Sequence, residues 1–318
     1  MASRDCDIRH LVNCRQEYAQ HLSRVVIAPG TVARMVDDTA RATESALRPQ
    51  SLMLTFLGDY VLGRDVCVYS GSVIDVFART GVGEHAARST LTRMVNRGLL
   101  SRQRQGRRMY FGLTPRSTQI LRDGEARIWK AGAVNREWDG TWTLLGFSLP
   151  EAWQRQRHDL RSQLAWAGFG PLFNGLWIAP GHAPVADLVA SLGLEAHVKV
   201  FRGGVEPGTD IGQMIRDTWD IEAQAARYRG FVERWREPGL AAGCGEDPLG
   251  RQLVLFTEWL QVVRTDPRLP LEHLPADWPA AEAEVAFHAV SAQVTGAARA
   301  LAARILNVVP YDQRAAVL

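Results

Sequence analysis

Residues 81–114 read GVGEHAARSTLTRMVNRGLLSRQRQGRRMYFGLT, and this stretch decides the fold. Its first half predicts an amphipathic helix over about residues 84–97, because four apolar side chains recur at helical spacing: Ala87, Leu91, Met94 and Val95. Gly98 follows directly and is a typical C-terminal cap. Two segments of alternating polarity, 99–104 and 107–114, flank Gln105-Gly106 and predict a β-hairpin with one buried face.

Two further helices are predicted upstream of this stretch. Apolar residues at helical spacing between positions 53 and 61 indicate the first helix, which Gly63 ends. Ser72 is expected to cap the second helix, which Thr80-Gly81 ends. Three helices followed by a hairpin is the order of a winged helix-turn-helix, so we predict this DNA-binding domain over residues 48–116.

The charge distribution singles out the same region. Residues 48–130 hold thirteen Arg and one Lys against six acids, a net charge of +8. The whole chain has a formal charge of only +3, which leaves −5 for the remainder. Arginine bias can reflect a GC-rich genome, but guanidinium groups also suit forked contacts to phosphates and guanines. One basic segment on an otherwise acidic chain is a typical footprint of nucleic-acid binding.

The polar face of the helix at 84–97 is the predicted base-reading surface. Arg can fork onto guanine, Asn onto adenine, and hydroxyl groups can serve bases or phosphates. A solvated surface is the alternative, but it does not explain why the following hairpin is also basic. We therefore predict DNA contacts from the helix face and from the hairpin, which would form the wing: His85, Arg88, Ser89, Thr92, Arg93 and Asn96, then Arg102, Arg104, Arg107, Arg108 and Tyr110.

The rest of the chain predicts an α+β protein of several domains. Residues 1–47 are polar and weakly patterned and form a predicted N-terminal extension. A connecting helix is expected at 117–137. Strands and helices alternate over 138–208, with 172–179 interpreted as a single strand, and this order suggests a ferredoxin-like central domain. Residues 209–318 are expected to form a helical C-terminal domain for dimerisation and effector binding.

Several classes of protein are disfavoured by composition. No run of about eighteen apolar residues occurs, so we expect no membrane span, and the N-terminus lacks the apolar stretch of a secretory signal. Four cysteines without C-x-x-C spacing indicate neither a disulfide framework nor a zinc site and fit the cytoplasm: Cys6, Cys14, Cys67 and Cys244. No nucleotide loop, nucleophile motif or histidine metal motif is present, so we expect no cofactor, no metal and no enzymatic activity.

Four stretches of the sequence resemble a known protein family. The stretch 81–114 is similar to the winged helix of the PaaX-type repressors, regulators of phenylacetate degradation in bacteria. WDGTWTLLGFSLPE at 138–151 and RHDLRSQLAWAGFGPLFNGLWIAP at 157–180 resemble that family's central domain, which is Cas2-like. DPRLPLEHLPADWP at 266–279 resembles its C-terminal signature. The likeness covers about residues 50–290.

The resemblance implies a homodimer that binds double-stranded operator DNA and represses an aromatic-compound catabolic operon. It also implies release by a small effector, an aromatic acyl-CoA such as phenylacetyl-CoA. Aromatic rings could stack on the acyl group and arginines could hold its phosphate or carboxylate, although burial and ion pairing are the commoner fates of such residues. The candidate effector-binding residues are Trp177, Arg202, Trp219 and Arg264.

The alternative function is a Cas2-like metal-dependent nuclease or another enzyme acting on nucleic acid or acyl-CoA. The resemblance places a catalytic aspartate of such nucleases at the end of the first central strand. Here that strand ends in Phe147-Ser148-Leu149-Pro150, with no acid before Glu151. A non-specific DNA-binding module is a third possibility.

Overall fold

The computed structural model of the chain describes residues 47–129, 133–236, 247–312 and 316–317. The N-terminal extension predicted for 1–47 therefore lies outside the described residues, apart from Leu47. No helix in the described parts of the chain is long and apolar enough to cross a membrane. The architecture is α+β, with two antiparallel sheets and ten α-helices in the described ranges.

The first part of the fold contains the three helices and the hairpin that the sequence predicts. A short strand, β1, lies between the first two helices and was not predicted. Ser72 does not cap the second helix, because its N-cap position is Tyr69. The elements are α1 (Pro49–Tyr60), β1 (Val66–Tyr69), α2 (Ser70–Ala78), α3 (Glu84–Asn96), β2 (Leu100–Gln105) and β3 (Arg108–Leu113).

The next helix, α4, spans Pro115–Trp129. It thus begins two residues before the predicted connecting helix, 117–137, with a proline at its first position, where the missing N–H costs nothing. It also ends earlier than predicted. Asn135, which falls inside the predicted helix, has an extended backbone and forms a parallel β-bridge with Pro270.

The central part of the chain forms a four-stranded antiparallel sheet with strand order β5-β6-β4-β7. The β-α-β-β-α-β succession in this order is that of the predicted ferredoxin-like domain. The single strand predicted at 172–179 is wrong: Asn174-Gly175 turns the chain, with Gly175 at a φ of +80°, and divides the segment into two paired strands. The elements are β4 (Trp142–Phe147), α5 (Gln154–Trp166), β5 (Gly170–Phe173), β6 (Leu176–Pro180), α6 (Ala186–Ser191) and β7 (Val198–Gly203).

The two faces of this sheet are covered by different elements. Leu145 and Trp177 pack on one face with residues of α5 and α6, among them Leu160. Trp142 packs on the other face with Ile215, which belongs to a short helix, α7 (Ile211–Thr218). Residues 211–218 fall within the predicted C-terminal helical domain but lie against the central sheet, because Ile215 finds its apolar partners there.

The remaining helices share one hydrophobic core with the first part of the chain. They are α8 (Ile221–Trp235), α9 (Pro248–Arg264) and α10 (Ala280–Ile305). Two buried polar contacts mark the junction with α1: the Thr257 hydroxyl donates to Thr55 Oγ1 at 2.8 Å, and the Tyr60 hydroxyl donates to Gln252. The apolar core around these contacts runs continuously from α1–α3 to α8–α10.

The end of the chain returns to the first sheet. Two strands after α10, β8 (Val308–Pro310) and β9 (Ala316–Val317), pair with β1 and β2 respectively. The sheet order is therefore β8-β1-β3-β2-β9, with the hairpin in the middle. The sequence predicts only helices here, because such short strands have no local signal and their partners lie more than two hundred residues away.

Candidate nucleic-acid interface

Helix α3 presents a polar face to solvent because its apolar face is fully used in the core. Ala87, Leu91 and Met94 are almost completely inaccessible on the inner side. Of the six side chains predicted to read bases, Ser89 is partly buried and the other five are exposed: His85, Arg88, Thr92, Arg93 and Asn96. The structure therefore gathers the predicted set on one accessible helix surface.

The C-terminal end of α3 is fixed by Gly98. This residue adopts a φ of +66°, a left-handed conformation that glycine tolerates without a Cβ clash. Its N–H donates to Val95 O at 2.8 Å, and the N–H of Leu99 donates to Met94 O at 2.9 Å. This capping pattern turns the chain directly into β2 and so fixes the position of the hairpin relative to α3.

The polar side chains of α3 are held by contacts within the helix itself. Arg88 Nε lies 2.8 Å from Glu84 Oε1, one helical turn away, with both side chains exposed. The Thr92 hydroxyl donates to Arg88 O at 3.0 Å and keeps its lone pairs available as acceptors. Arg93 Nη2 donates to Thr90 Oγ1 at 3.2 Å. Exposed ion pairs of this kind contribute little to stability, so Arg88 can exchange Glu84 for a phosphate at small cost.

The hairpin β2–β3 carries four exposed arginines at and around its turn: Arg102, Arg104, Arg107 and Arg108. Gly106 makes the turn with a φ of +60°. Arg104 Nε donates to Gly106 O at 3.0 Å, which orients that guanidinium along the turn. The Arg108 guanidinium lies over the Tyr69 ring, 5.2 Å from its centroid.

Tyr110 does not belong to this accessible surface, contrary to the sequence-based expectation. Its side chain is only 4% exposed, and its hydroxyl donates to Asn307 Oδ1 at 3.2 Å. Its ring lies against Tyr69, with centroids 5.6 Å apart. The expectation followed the alternation from Arg108 to Tyr110, but the chain after α10 covers this part of the strand.

Three residues near this surface were not singled out from the sequence. Tyr69 supports the Arg108 guanidinium. Arg97, at the end of α3, is exposed and donates to Gln50 Oε1 at 3.2 Å, while Arg116 Nη1 donates to Arg97 O at 3.2 Å. Both arginines belong to the basic segment, so the charge count signals them; no local pattern signals Tyr69.

Comparisons with known proteins assign the chain to a family. Three family profiles match the chain: "PaaX-like protein" over residues 48–117, "PaaX protein central Cas2-like domain" over 135–215, and "PaaX-like protein C-terminal domain" over 219–304. The transcriptional repressor PaaX of Escherichia coli is 30% identical over 240 residues, covering 72% of this chain and 74% of that protein. The chain belongs to the PaaX family.

A solved structure shares the fold of this PaaX family member. An uncharacterized protein from Mycobacterium tuberculosis superposes with a TM-score of 0.54 at 24% sequence identity. The match covers 80% of this chain and 99% of that structure. The comparison therefore extends over the greater part of the fold and not over a single domain.

The four residues predicted to bind an effector do not form one site. Trp177 is buried on the face of the central sheet that α5 and α6 cover, whereas Trp219 packs on the opposite face, stacked 6.3 Å from Trp142. Arg202 pairs with Asp139. Arg264 lies over Trp166, 4.4 Å from its centroid. These neighbours correspond to the commoner fates of such residues, core packing and pairing.

Trp219 does, however, line a cleft of about 710 Å³. The cleft lies where α7 meets α8 and faces the 3₁₀ turn Leu271–His273. Its charged lining comprises Arg216 and three carboxylates, those of Asp217, Asp220 and Glu222. Asp220 caps α8 by accepting the N–H of Ala223 at 2.9 Å, which sets the start of that helix at the cleft.

The described residues contain no group of three or more His, Cys, Asp or Glu side chains that could hold a metal ion. At the carboxyl end of β4, Phe147 is followed by Ser148, whose N–H donates to His197 O at 3.1 Å. The first acid after the strand is the exposed Glu151.

Proposed function

We propose that this chain is a sequence-specific DNA-binding transcriptional repressor whose reading head is a winged helix-turn-helix over residues 48–116. The observation that carries the proposal is the joint surface of α3 and the hairpin. Eight arginines lie between residues 84 and 116 against one acid, Glu84, and the predicted contacts except Ser89 and Tyr110 are exposed. The family membership, with a relative named as a transcriptional repressor, supports the same conclusion.

In this proposal α3 enters the major groove. Arg93 and Asn96 lie one turn below Ser89 and Thr92 on the accessible face, a spacing that lets a helix contact successive base pairs. Arginine would recognise the O6 and N7 atoms of guanine, and asparagine the N6 and N7 atoms of adenine. Glu84 complements the positive end of the helix dipole, and Arg88 would leave it to contact a phosphate.

The arginines of the hairpin would form the wing and contact phosphates or a narrow minor groove. With the helix arginines they would neutralise roughly six phosphates, so affinity should fall steeply as salt concentration rises. Such contacts orient the protein on DNA, whereas the helix supplies the sequence information.

We further propose a homodimer that represses an aromatic-compound catabolic operon and is released by an aromatic acyl-CoA such as phenylacetyl-CoA. The cleft beside Trp219 is the proposed site for the acyl group, with the indole ring as its apolar surface and Arg216 as its cation. Three carboxylates also line the cleft, so the CoA phosphates would extend away from it into solvent. Ligand contacts with α8 would then favour a geometry of the dimer that no longer matches the operator.

The test begins with selection of binding sites from duplexes carrying a randomised stretch of about 30 base pairs, long enough for two half-sites. The proposal expects an enriched, near-palindromic sequence. Phenylacetyl-CoA should release the selected duplex and raise the melting temperature of the protein, and Trp219→Ala should abolish both effects without weakening DNA binding. Failure to enrich any sequence would contradict the reading role.

The second candidate function is a Cas2-like metal-dependent nuclease. The absence of an acid at the carboxyl end of β4 disfavours it, because metal-dependent hydrolysis of phosphodiesters commonly uses carboxylates to hold the ions. Cleavage of plain duplex DNA by the purified protein in the presence of Mg²⁺ or Mn²⁺ would favour the nuclease instead.

A further inference from the structure

A line of side-chain contacts joins the hairpin arginine Arg108 to Asn307, two residues beyond the end of α10. We infer that Asn307 is a positioning residue for DNA binding, which holds Arg108 in place through Tyr110 and Tyr69 and so links the C-terminal helices to the wing. The inference rests on the proposed function, because it assigns Arg108 to DNA.

Asn307 is held by its backbone on both sides. Its N–H donates to Ser72 Oγ at 3.0 Å, and its carbonyl accepts the N–H of Tyr69 at 2.9 Å. The Ser72 hydroxyl in turn donates to Ile305 O at 2.9 Å, at the last turn of α10. Ser72 thus ties the end of α10 to the start of α2, which explains why this serine does not cap its own helix.

The side chain of Asn307 continues the line to the hairpin. Its Oδ1 accepts the Tyr110 hydroxyl at 3.2 Å, the Tyr110 ring contacts the Tyr69 ring, and the Arg108 guanidinium lies over Tyr69. Gly71 makes room for the Tyr69 ring, because a Cβ there would lie 2.4 Å from Tyr69 Cε1. The ring that supports Arg108 therefore lies close to Gly71 and against Tyr110, and Asn307 fixes this aromatic neighbour.

The same chain end also holds the other strand of the hairpin. Gln103, on β2, is buried and accepts the N–H of Asp312 at 3.1 Å, while its Nε2 donates to Pro310 O at 3.4 Å. Strand β9 pairs with β2 beside it, at Arg102 and Gln103. Each strand of the hairpin is thus hydrogen-bonded to the segment that follows α10, β3 through the Tyr110 side chain and β2 through Gln103 and strand β9, so a displacement of that helix would be transmitted to the wing.

This arrangement supplies a route for regulation. Helix α10 packs along α8 and α9, and α8 begins at the cleft beside Trp219. A ligand that moves α8 can therefore shift α10 and, through Asn307, the arginine that contacts phosphate. The coupling needs no contact between the ligand and the reading head.

The test compares four variants on a mixed-sequence duplex of about 30 base pairs, with affinity measured as a function of NaCl concentration. Arg108→Ala should weaken binding about threefold to tenfold and lower the salt slope by about 0.9, the loss of one phosphate contact. Asn307→Ala should produce a similar change, and the double variant should bind no more weakly than Arg108→Ala alone. Gln293→Ala, at an exposed position of α10, is the control and should bind like the wild type.

Additivity separates positioning from a general structural effect, because independent losses multiply. A double variant whose losses multiply, or Asn307→Ala binding at wild-type strength beside a weakened Arg108→Ala, would overturn the positioning role alone. Wild-type protein that binds no DNA would overturn the proposed function as well. An Arg108→Ala variant that binds normally would overturn only the assignment of Arg108 to DNA, and with it this inference. If Asn307→Ala does not fold, Tyr110→Phe removes the same hydrogen bond and is judged by the same criteria.

Discussion

Asp266 is a buried carboxylic acid, 8% exposed, both of whose oxygens accept hydrogen bonds. Tyr228 donates its hydroxyl to Oδ2, and the backbone N–H of Arg268 donates to Oδ1 at 2.6 Å. Burial disfavours the charged form and raises the pKa of this carboxyl above its ordinary value of 3.8, although both hydrogen bonds oppose the shift.

The raised pKa predicts a pH dependence of stability that an amide would lack. Between the unfolded and folded pKa values the native state binds more protons, so the free energy of unfolding falls as pH rises from about 4. Asp266→Asn removes this titration. The difference in unfolding free energy, wild type minus Asp266→Asn, should therefore decrease with rising pH in urea titrations. If the unfolding free energies of the two proteins changed in parallel with pH, the raised pKa of Asp266 would be contradicted.

Gly112 is required by a close approach between β3 and the end of the chain. A Cβ at this position would lie 2.6 Å from Cys67 Sγ and 2.8 Å from the ring of Tyr311. Gly112→Ala should destabilise the protein by about 1–3 kcal/mol, the usual effect of overpacking. Gly296→Ala is the matched control, because nothing lies within 4 Å of a Cβ there and alanine favours a helix. Chemical denaturation should give a lower free energy of unfolding for Gly112→Ala than for the wild type, and a slightly higher one for Gly296→Ala.

At the level of elements, the start of α9 is held to the end of α2. The Asp247 side chain accepts the N–H of Gly250 at 2.8 Å as the helix cap and also pairs with Arg79, in the turn before α3. Asp247→Ala should lower the free energy of unfolding by about 1–2 kcal/mol through loss of the helix cap. The lost ion pair with Arg79 should add to it.

Asp220→Ala is the control for this prediction, since Asp220 caps α8 and no ion pair is shown for it among the described residues. Thermal denaturation should rank Asp247→Ala below Asp220→Ala in stability. The reverse order would show that the pairing with Arg79 does not stabilise the junction.

The elements that the sequence predicts well are those with local signals. Helix α3 has an apolar stripe from Ala87 to Val95 and a glycine at its end, and the hairpin after it has a glycine turn. The hairpin β5–β6 also has a local signal, Asn174-Gly175, but the apolar run around it resembles one buried strand. Strands β1, β8 and β9 have two to four residues each, and only pairing across the fold creates them.

The same distinction between local signals and contacts across the fold explains which site residues can be predicted from the sequence. The exposed face of α3 follows from helical periodicity alone. The burial of Tyr110 depends on Asn307, nearly two hundred residues further along the chain, and no pattern within β3 can predict it. The four candidate effector-binding residues were grouped by chemical type alone. Residue type does not determine the face of a sheet on which a side chain lies.

On the scale of the whole molecule, residues 47–116 and helices α8–α10 share one hydrophobic core. Phe56 and Leu57 of α1 belong to the same core as Leu253 and Trp259 of α9. Burial of one large apolar side chain contributes about 1.5–3 kcal/mol, so removal of α9 should leave α1 without sufficient stabilisation.

A fragment of residues 48–116 should therefore fail to fold on its own, although its sequence resembles an independent domain. Circular dichroism of this fragment should show no cooperative thermal transition, in contrast to the full chain. A fragment that melts cooperatively near the temperature of the full chain would show that the shared core is not needed.

The most direct test of the reading head measures discrimination between the selected operator and a scrambled duplex of the same length. Arg93→Ala, on the exposed face of α3, should lose about 1–3 kcal/mol of that discrimination and bind scrambled DNA nearly as the wild type does. Arg161→Ala, an exposed arginine of α5, should leave both affinities unchanged. If Arg93→Ala weakened both duplexes equally, or changed neither, α3 would not be the element that reads the sequence.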